Sequence, residues 1–346
     1  MPSQQKLSGC LSPAATFPCR NCMVHGDDKA DLDFDIVNQG RYHMQTEIAR
    51  QDIKNRARSH HQEEIMFRNL GLHNNEGLLR VLGTLFPALD MIRSRPVDAA
   101  HSEYQGMSRI LHNLMFKDQI SLLTPTAITE ACSVYQSFPT PPKWGRLQSP
   151  KRHLDSWRMQ ELARGAVILP VLLRCWLQPH HIKDECRRLI PQIAGEYFEN
   201  DDFVVPTDKF EAVDWIVSAV DFFSRSVRAI FGHTGASSPK EDVLKTIISG
   251  RRAIQFLCQI NASACLQRRV TRTDDATSVG TEADDGASTV ASSTRRKRSG
   301  PQDKARTFLN MKRLPNIHTG LHLMEVIREY GSCRLVWTLM GEDKHK

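Results

Sequence analysis

The chain has 346 residues, 46 of them basic and 39 acidic, for a formal net charge of +7. An apolar share of 40% beside 25% charged residues excludes a fibrous or wholly disordered chain, and the length suits one large domain or two ordinary ones. The mild positive excess suits a polyanionic partner without requiring one.

Nine cysteines, an odd and mostly scattered set, argue against a disulfide scaffold and for a reducing compartment. No charged-then-apolar leader opens the sequence. The longest uncharged apolar run, Gly165 to Leu173, is closed by Arg164 and Arg174 and interrupted by Pro170. A bilayer span needs about 20 such residues, so the expectation is a soluble chain with no membrane partner.

In chain order, residues 1–18 are polar and aperiodic and read as a disordered tail. The segment 19–95 opens on Cys19-Arg-Asn-Cys22. Its residues 41–71 read as helix ending near Gly71, and Leu78, Leu79, Leu82, Leu85 and Phe86 as a short helix stopping at Pro87. The segment 96–270 reads as a helical domain. Met107, Ile110, Leu111, Leu114 and Met115 recur at helical spacing, and a proline-rich loop, "SFPTPPKWGRLQSPKRH", leads to a helix over Leu162–Trp176. Val213, Ile216, Val220, Phe223, Val227 and Ile230 mark another helix. Val243, Leu244, Ile247 and Ile248 begin one that continues toward Leu257 and Ile260.

The strand candidates are "DFVV" at 202–205 and "CRLVWTLM" at 333–340. Residues 271–306, rich in Ser, Thr, Asp, Gly and Ala, lack the apolar surface to fold and read as a disordered linker before a C-terminal segment, 307–346. Within that linker Arg295, Arg296, Lys297 and Arg298 form a basic cluster, readable as a nuclear-import or DNA-phosphate contact or as a solvated linker.

Three constellations carry candidate chemistry. Cys19 and Cys22 are spaced to chelate one zinc, with His25 as a third ligand and the fourth from Cys10, His43 or further away; two ordinary thiols are the alternative. His318 and His322 stand one helical turn apart with Glu325 following. Thr319 occupies the place where a zinc protease needs its general-base Glu, so that activity is disfavoured. Asp98 and His101 open the helix after Pro96. Asp98 suits an N-cap, which is worth about 1 kcal/mol and requires no histidine three residues on.

Read together and in order, "FPCRNCMVHG", "RPVDAAHSEYQGMSRILHNL", "WGRLQSPKRHLDSW" and "LPNIHTGLHLMEVIREYGSCRLVWTLMGEDKHK" resemble the C-terminal half of CACTA-type DNA transposases, in the form found in fungal genomes. The likeness covers residues 17–265 and 307–346. It implies an RNase-H-like fold in which three carboxylates hold two divalent metals, Mg or Mn, for attack on a phosphodiester. Cys19 and Cys22 match the C-x-x-C of the family, Asp98 and His101 its C/D-x-x-H, and Glu342 its late catalytic acid, with Glu325 a weaker claimant.

The two further aspartates that the family places ahead of the C-x-x-C would fall before residue 17, where this sequence has no acid. The expectation is therefore a truncated or degenerate transposase: mainly α, a helical insertion-type domain with a few strands of an incomplete RNase-H-like α/β domain. It would lack strand-transfer activity alone, with Mg or Mn bound only if another polypeptide supplies the missing aspartates. Implied partners are DNA and an N-terminal transposase half or a second copy, in the nucleus or else the cytoplasm. The alternative is a non-enzymatic helical protein, derived from a transposon, that binds DNA or a protein.

Overall fold

The computed structural model describes residues 9–11, 15–74, 90, 92–94, 96–142, 144–198, 211–232, 240–276, 314–333 and 336. Over these the chain is mainly helical. The elements are α1 His43–Arg56, α2 His60–Asn69, a π-helix His101–Ser108, α3 Arg109–Phe116, α4 Pro125–Ser137, α5 Pro150–His153, α6 Met159–Trp176, α7 Asp184–Phe198, α8 Ala212–Gly232, α9 Lys240–Ala276, α10 Pro315–Thr319 and α11 Leu323–Tyr330. None of the helices is long and apolar enough to cross a membrane among the described residues.

Among the described residues the β-pairing consists of isolated bridges, Cys10 with Leu72, Cys22 with Gly40 and Leu123 with Ile182. The strand candidate at 202–205, and that at 333–340 apart from Cys333 and Val336, lie outside the described residues, as do the 78–86 helix and most of the linker.

The helical stretch 41–71 is two helices rather than one. The chain leaves α1 at Ala57 in extended conformation, and Ser59 restarts it by accepting a hydrogen bond from the Gln62 N–H at 3.2 Å. Gly71 ends the unit with φ +67°, a backbone conformation that costs glycine little. α9 runs to Ala276, six residues into the stretch that composition assigned to a disordered linker.

The apolar positions of α3, α6, α7, α8 and α9 merge into one core that also takes in Leu32, Ile317, Leu323 and Ile327. A second cluster, Cys10, Ile53, Phe67 and Leu72, lies under α1 and α2. The run Gly165 to Leu173 faces this core, with Val167 and Val171 as its two exposed positions.

The π-helix is where side chains from distant segments meet. Tyr104 stacks on Phe231 of α8 at 4.8 Å, and the Asn316 side chain sits so close to Gly106 that a Cβ there would collide with it. Glu103, fully buried, takes a bidentate ion pair from the fully buried Arg251 of α9, one arm at 2.7 Å. Arg251 in turn lies directly beneath Gly320, the residue between α10 and the rest of the C-terminal helical strap.

His112 of α3 is buried in the main core. Its Nδ1 lies 2.7 Å from the Ser108 carbonyl and its Nε2 3.4 Å from the Tyr135 hydroxyl. Desolvation pushes its pKa from 6.5 down to about 4. The unfolded chain therefore takes up this proton at a higher pH than the folded one. Stability present above pH 6.5 is lost as the pH falls toward 4, by about 3 kcal/mol in full. Chemical unfolding of wild type and His112→Gln across this range, both metal-free, is expected to show a shallower pH slope in the variant.

Candidate metal centre

The Cys19–Cys22 turn is held by backbone before any ligand is considered. The Asn21 N–H points at Cys19 Sγ at 3.3 Å, Met23 N–H donates to Gln39 O at 2.8 Å, and Arg41 N–H donates to Asn21 O at 2.8 Å. The buried Arg41 guanidinium then ties the turn together. Its Nε donates to the carbonyls of Cys19 (2.9 Å) and Cys22 (3.1 Å), and its Nη2 to those of Phe17 and Leu70. Both sulfurs are thereby aimed at one side of the turn.

The other half comes from almost three hundred residues further along. Pro315 starts α10, a 3-10 turn Gly320–His322 follows, and the helical path continues into α11. The i, i+4 spacing puts the two imidazoles on one face. His318 Nε2 lies 3.1 Å from Cys22 Sγ, His322 Nε2 lies 3.4 Å from Cys19 Sγ, and the two Nε2 atoms are 3.2 Å apart. All four ligand atoms fall within 4.8 Å of one another.

Around a tetrahedral Zn²⁺ with Zn–S near 2.3 Å and Zn–N near 2.0 Å, ligand atoms sit roughly 3.3–3.8 Å apart. The Cys19, Cys22, His318 and His322 donors are close to that arrangement. Two thiolates and two imidazoles are also the soft, mixed S/N set that zinc favours. His322 is oriented as a metal-binding histidine requires: its Nδ1 faces the Glu325 carboxylate at 2.7 Å, and Glu325 is held by Arg93 at 3.1 Å. Phe34 meets His318 edge-on at 5.7 Å. With four protein ligands, a bound Zn²⁺ would supply a crosslink between the two ends of the described chain rather than an open coordination position.

The ligands polarise one another. A hydrogen bond from the Cys22 thiol, opposed by burial and helped by His322, holds the Cys19 pKa well below the usual thiol range. Burial and the adjoining Cys19 sulfur push Cys22 up. Burial would depress His322, but the Cys19 thiolate and Glu325 outweigh it and raise the group to about 9. The two shifts act together, favouring negative charge on Cys19 and positive charge on His322. Metal affinity should thus fall with pH, because protons and metal compete for the same atoms.

His25, expected as the third donor, stands outside the four-residue cluster. Cys22 and Val24 are fully buried while Met23 and His25 are only partly so, the alternation of an extended segment. His25 is therefore carried to the opposite side from Cys22, where its Nδ1 accepts from the Asp27 N–H at 3.2 Å. Cys10 packs in the second core cluster, and His43 starts α1 with its N–H on Asp90. The two donors that complete the cluster are the C-terminal pair, which sequence spacing had singled out without linking it to the cysteines.

Asp98 and His101 do form a dyad. Asp98, buried, accepts from the Ala100 N–H at 3.0 Å as a cap does, and its other oxygen lies 2.6 Å from His101 Nδ1. His101 keeps about 39% of its side chain exposed. The dyad adjoins the metal centre: Arg20 Nη2 donates to Pro96 O at 2.9 Å. Val97 lines a cavity of about 110 Å³ together with Cys19, Arg20, Lys29, Asn316 and His322. Glu342 and Arg295, Arg296, Lys297 and Arg298 lie outside the described residues.

Neither the Arg41 clamp nor the Glu103–Arg251 pair was read from the sequence. A buried ion pair 148 residues apart leaves no periodic trace. Comparison with protein-family models, curated proteins and solved structures finds no match to this chain.

Proposed function

We propose that the chain is a metal-stapled helical domain of a degenerate CACTA-type DNA transposase, one that binds DNA and does not transfer strands by itself. The observation that carries the reading is the Cys19–Cys22–His318–His322 cluster. It joins the first and last of the sequence stretches on which the resemblance rests. The Asp98–His101 dyad, a third such stretch, opens beside it.

The carboxylates near the centre support binding over catalysis. Asp98 is committed to His101, Glu103 to Arg251, and Glu325 to His322 and Arg93. Among the described residues, the cluster able to share an ion is the sulfur–nitrogen one. That set suits zinc, whereas Mg²⁺ and Mn²⁺ prefer oxygen ligands. In this reading the RNase-H-like strands, the carboxylates for Mg or Mn and the catalytic acid of the family would be completed by Glu342 and an N-terminal transposase half, or by a second copy. The protein would act in the nucleus, where the Arg295–Arg298 cluster would direct it.

The purified chain is expected to bind duplex DNA with an affinity that falls steeply as salt rises. It should leave that DNA uncut in Mg²⁺ or Mn²⁺. Metal-dependent cleavage by the chain alone would overturn the non-catalytic part, and absence of duplex binding at low salt would overturn the DNA part. One observation favours a protein partner as the second reading. Met44 and Ile48, one turn apart on α1, are 60% and 65% exposed.

A further inference from the structure

The segment 144–158 is pinned to the body of the protein by Leu147, Pro150, Leu154 and Trp157, all buried at spacings of three or four residues. Between and beside these anchors the exposed positions include five basic residues: Arg146, Lys151, Arg152, His153 and Arg158. The one acid of the segment, Asp155, is paired with Lys117 at 3.2 Å. Arg146, Arg152 and Arg158 have no carboxylate within ion-pair distance among the described residues.

This strap borders a cavity of about 620 Å³. Lys151, Arg152 and His153 line it from the strap, and Thr129, Ser133 and Gln136 from α4; Asp118 also lines it, 3.9 Å from Lys151. Lys151 Nζ donates to Thr129 Oγ1 at 3.1 Å, which sets the ammonium against the α4 wall. Hydroxyls, a carboxamide and the Lys151 and Arg152 cations suit an oxygen-rich anion rather than an apolar ligand. The space exceeds a single phosphate, and unpaired arginines continue along the strap on both sides of Lys151 and Arg152. A charged strand fits such a row better than a lone ion does.

We propose that this groove receives the phosphodiester backbone of duplex DNA, with Lys151 and Arg152 as phosphate contacts. The choice of polyanion rests on the DNA-binding reading above; the groove and its charges do not.

The test uses the full chain and a fluorescent duplex of arbitrary sequence, titrated at several salt concentrations. Lys151→Ala with Arg152→Ala is expected to weaken binding about tenfold or more and to flatten the log–log salt slope by about two, since each lost phosphate contact removes roughly 0.9. The control, Arg225→Ala with Arg228→Ala, removes the same charge from arginines that lie beside Asp221 at 2.7 and 3.8 Å, and should leave the slope unchanged. All four positions are exposed, so thermal melts should match wild type.

If the groove variant binds like wild type, or both variants weaken equally, the groove assignment is overturned while DNA binding stands. If wild type binds no duplex but takes up inorganic phosphate, lost in the groove variant, the site accepts a small phosphate and the backbone assignment is overturned. Binding of neither overturns the groove and the DNA reading together.

Discussion

Replacing Cys22 with serine is expected to abolish stoichiometric zinc binding and to lower stability. Cys22 is fully buried, its sulfur faces His318, and Arg41 holds its carbonyl. A serine hydroxyl is a poor zinc ligand, and the three remaining donors would have to complete the shell with water. Structural zinc in isolated finger peptides is worth about 10–16 kcal/mol. Here a large apolar core independent of the four donors also holds the fold, so the loss should be a fraction of that, about 3–5 kcal/mol. At about 2–4 °C per kcal/mol for a domain of this size, the melting temperature should fall by about 10 °C. Metal content by mass spectrometry and melting with and without chelator give the check. Equal melting of chelated and zinc-loaded wild type would remove the staple as a stability element. His318→Ala should mimic Cys22→Ser, whereas His25→Ala should leave both measurements unchanged.

Glu103→Gln is the second large effect. The substitution keeps the shape of the side chain and removes its charge, leaving the fully buried Arg251 guanidinium without its counter-ion. Breaking a buried pair from one side costs about 3–5 kcal/mol, because the remaining charge is desolvated and uncompensated. Pairing Glu103→Leu with Arg251→Met should recover much of that loss, since neither charge then remains inside. The effect should also reach the metal centre. Gly320 rests directly on Arg251 and lies between His318 and His322, so a displaced guanidinium moves the turn that aims both imidazoles. Zinc affinity in Glu103→Gln is therefore expected to fall about 10–100-fold, the range seen when groups that orient metal ligands are altered. Competition with a chromogenic chelator measures it. An unchanged affinity in a destabilised variant would show that the pair supports the fold alone.

The helices were legible wherever the apolar period was strong. Val213 to Ile230 and Leu162 to Trp176 predicted α8 and α6 because a buried face must repeat at helical spacing. The break between α1 and α2 was harder to see, because both flanks are polar and the signal reduces to the Ser59 cap. The π-helix at His101–Ser108 had no signature in the apolar pattern, since one widened turn barely shifts the period. Asp98 was legible as a cap from its residue type, and the structure adds that its second oxygen holds His101.

The metal centre divides the same way. Sequence by itself determined two local geometries, a C-x-x-C turn and an H-x-x-x-H turn of helix, each set by the few residues between the donors, although it assigned metal only to the first. It also determined the helical class of the chain. Which pair meets which is a long-range matter, decided by the packing of α10 and α11 on the π-helix and α9, with Glu103, Arg251 and Gly320 at the contact. His25 was favoured as a ligand because nearness along the chain stands in for nearness in space, and the alternation of the extended segment from Cys22 to His25 turned it away. Only the tertiary structure could bring His318 and His322 to the cysteines, because a contact across some three hundred residues is set by the whole core rather than by any segment of it.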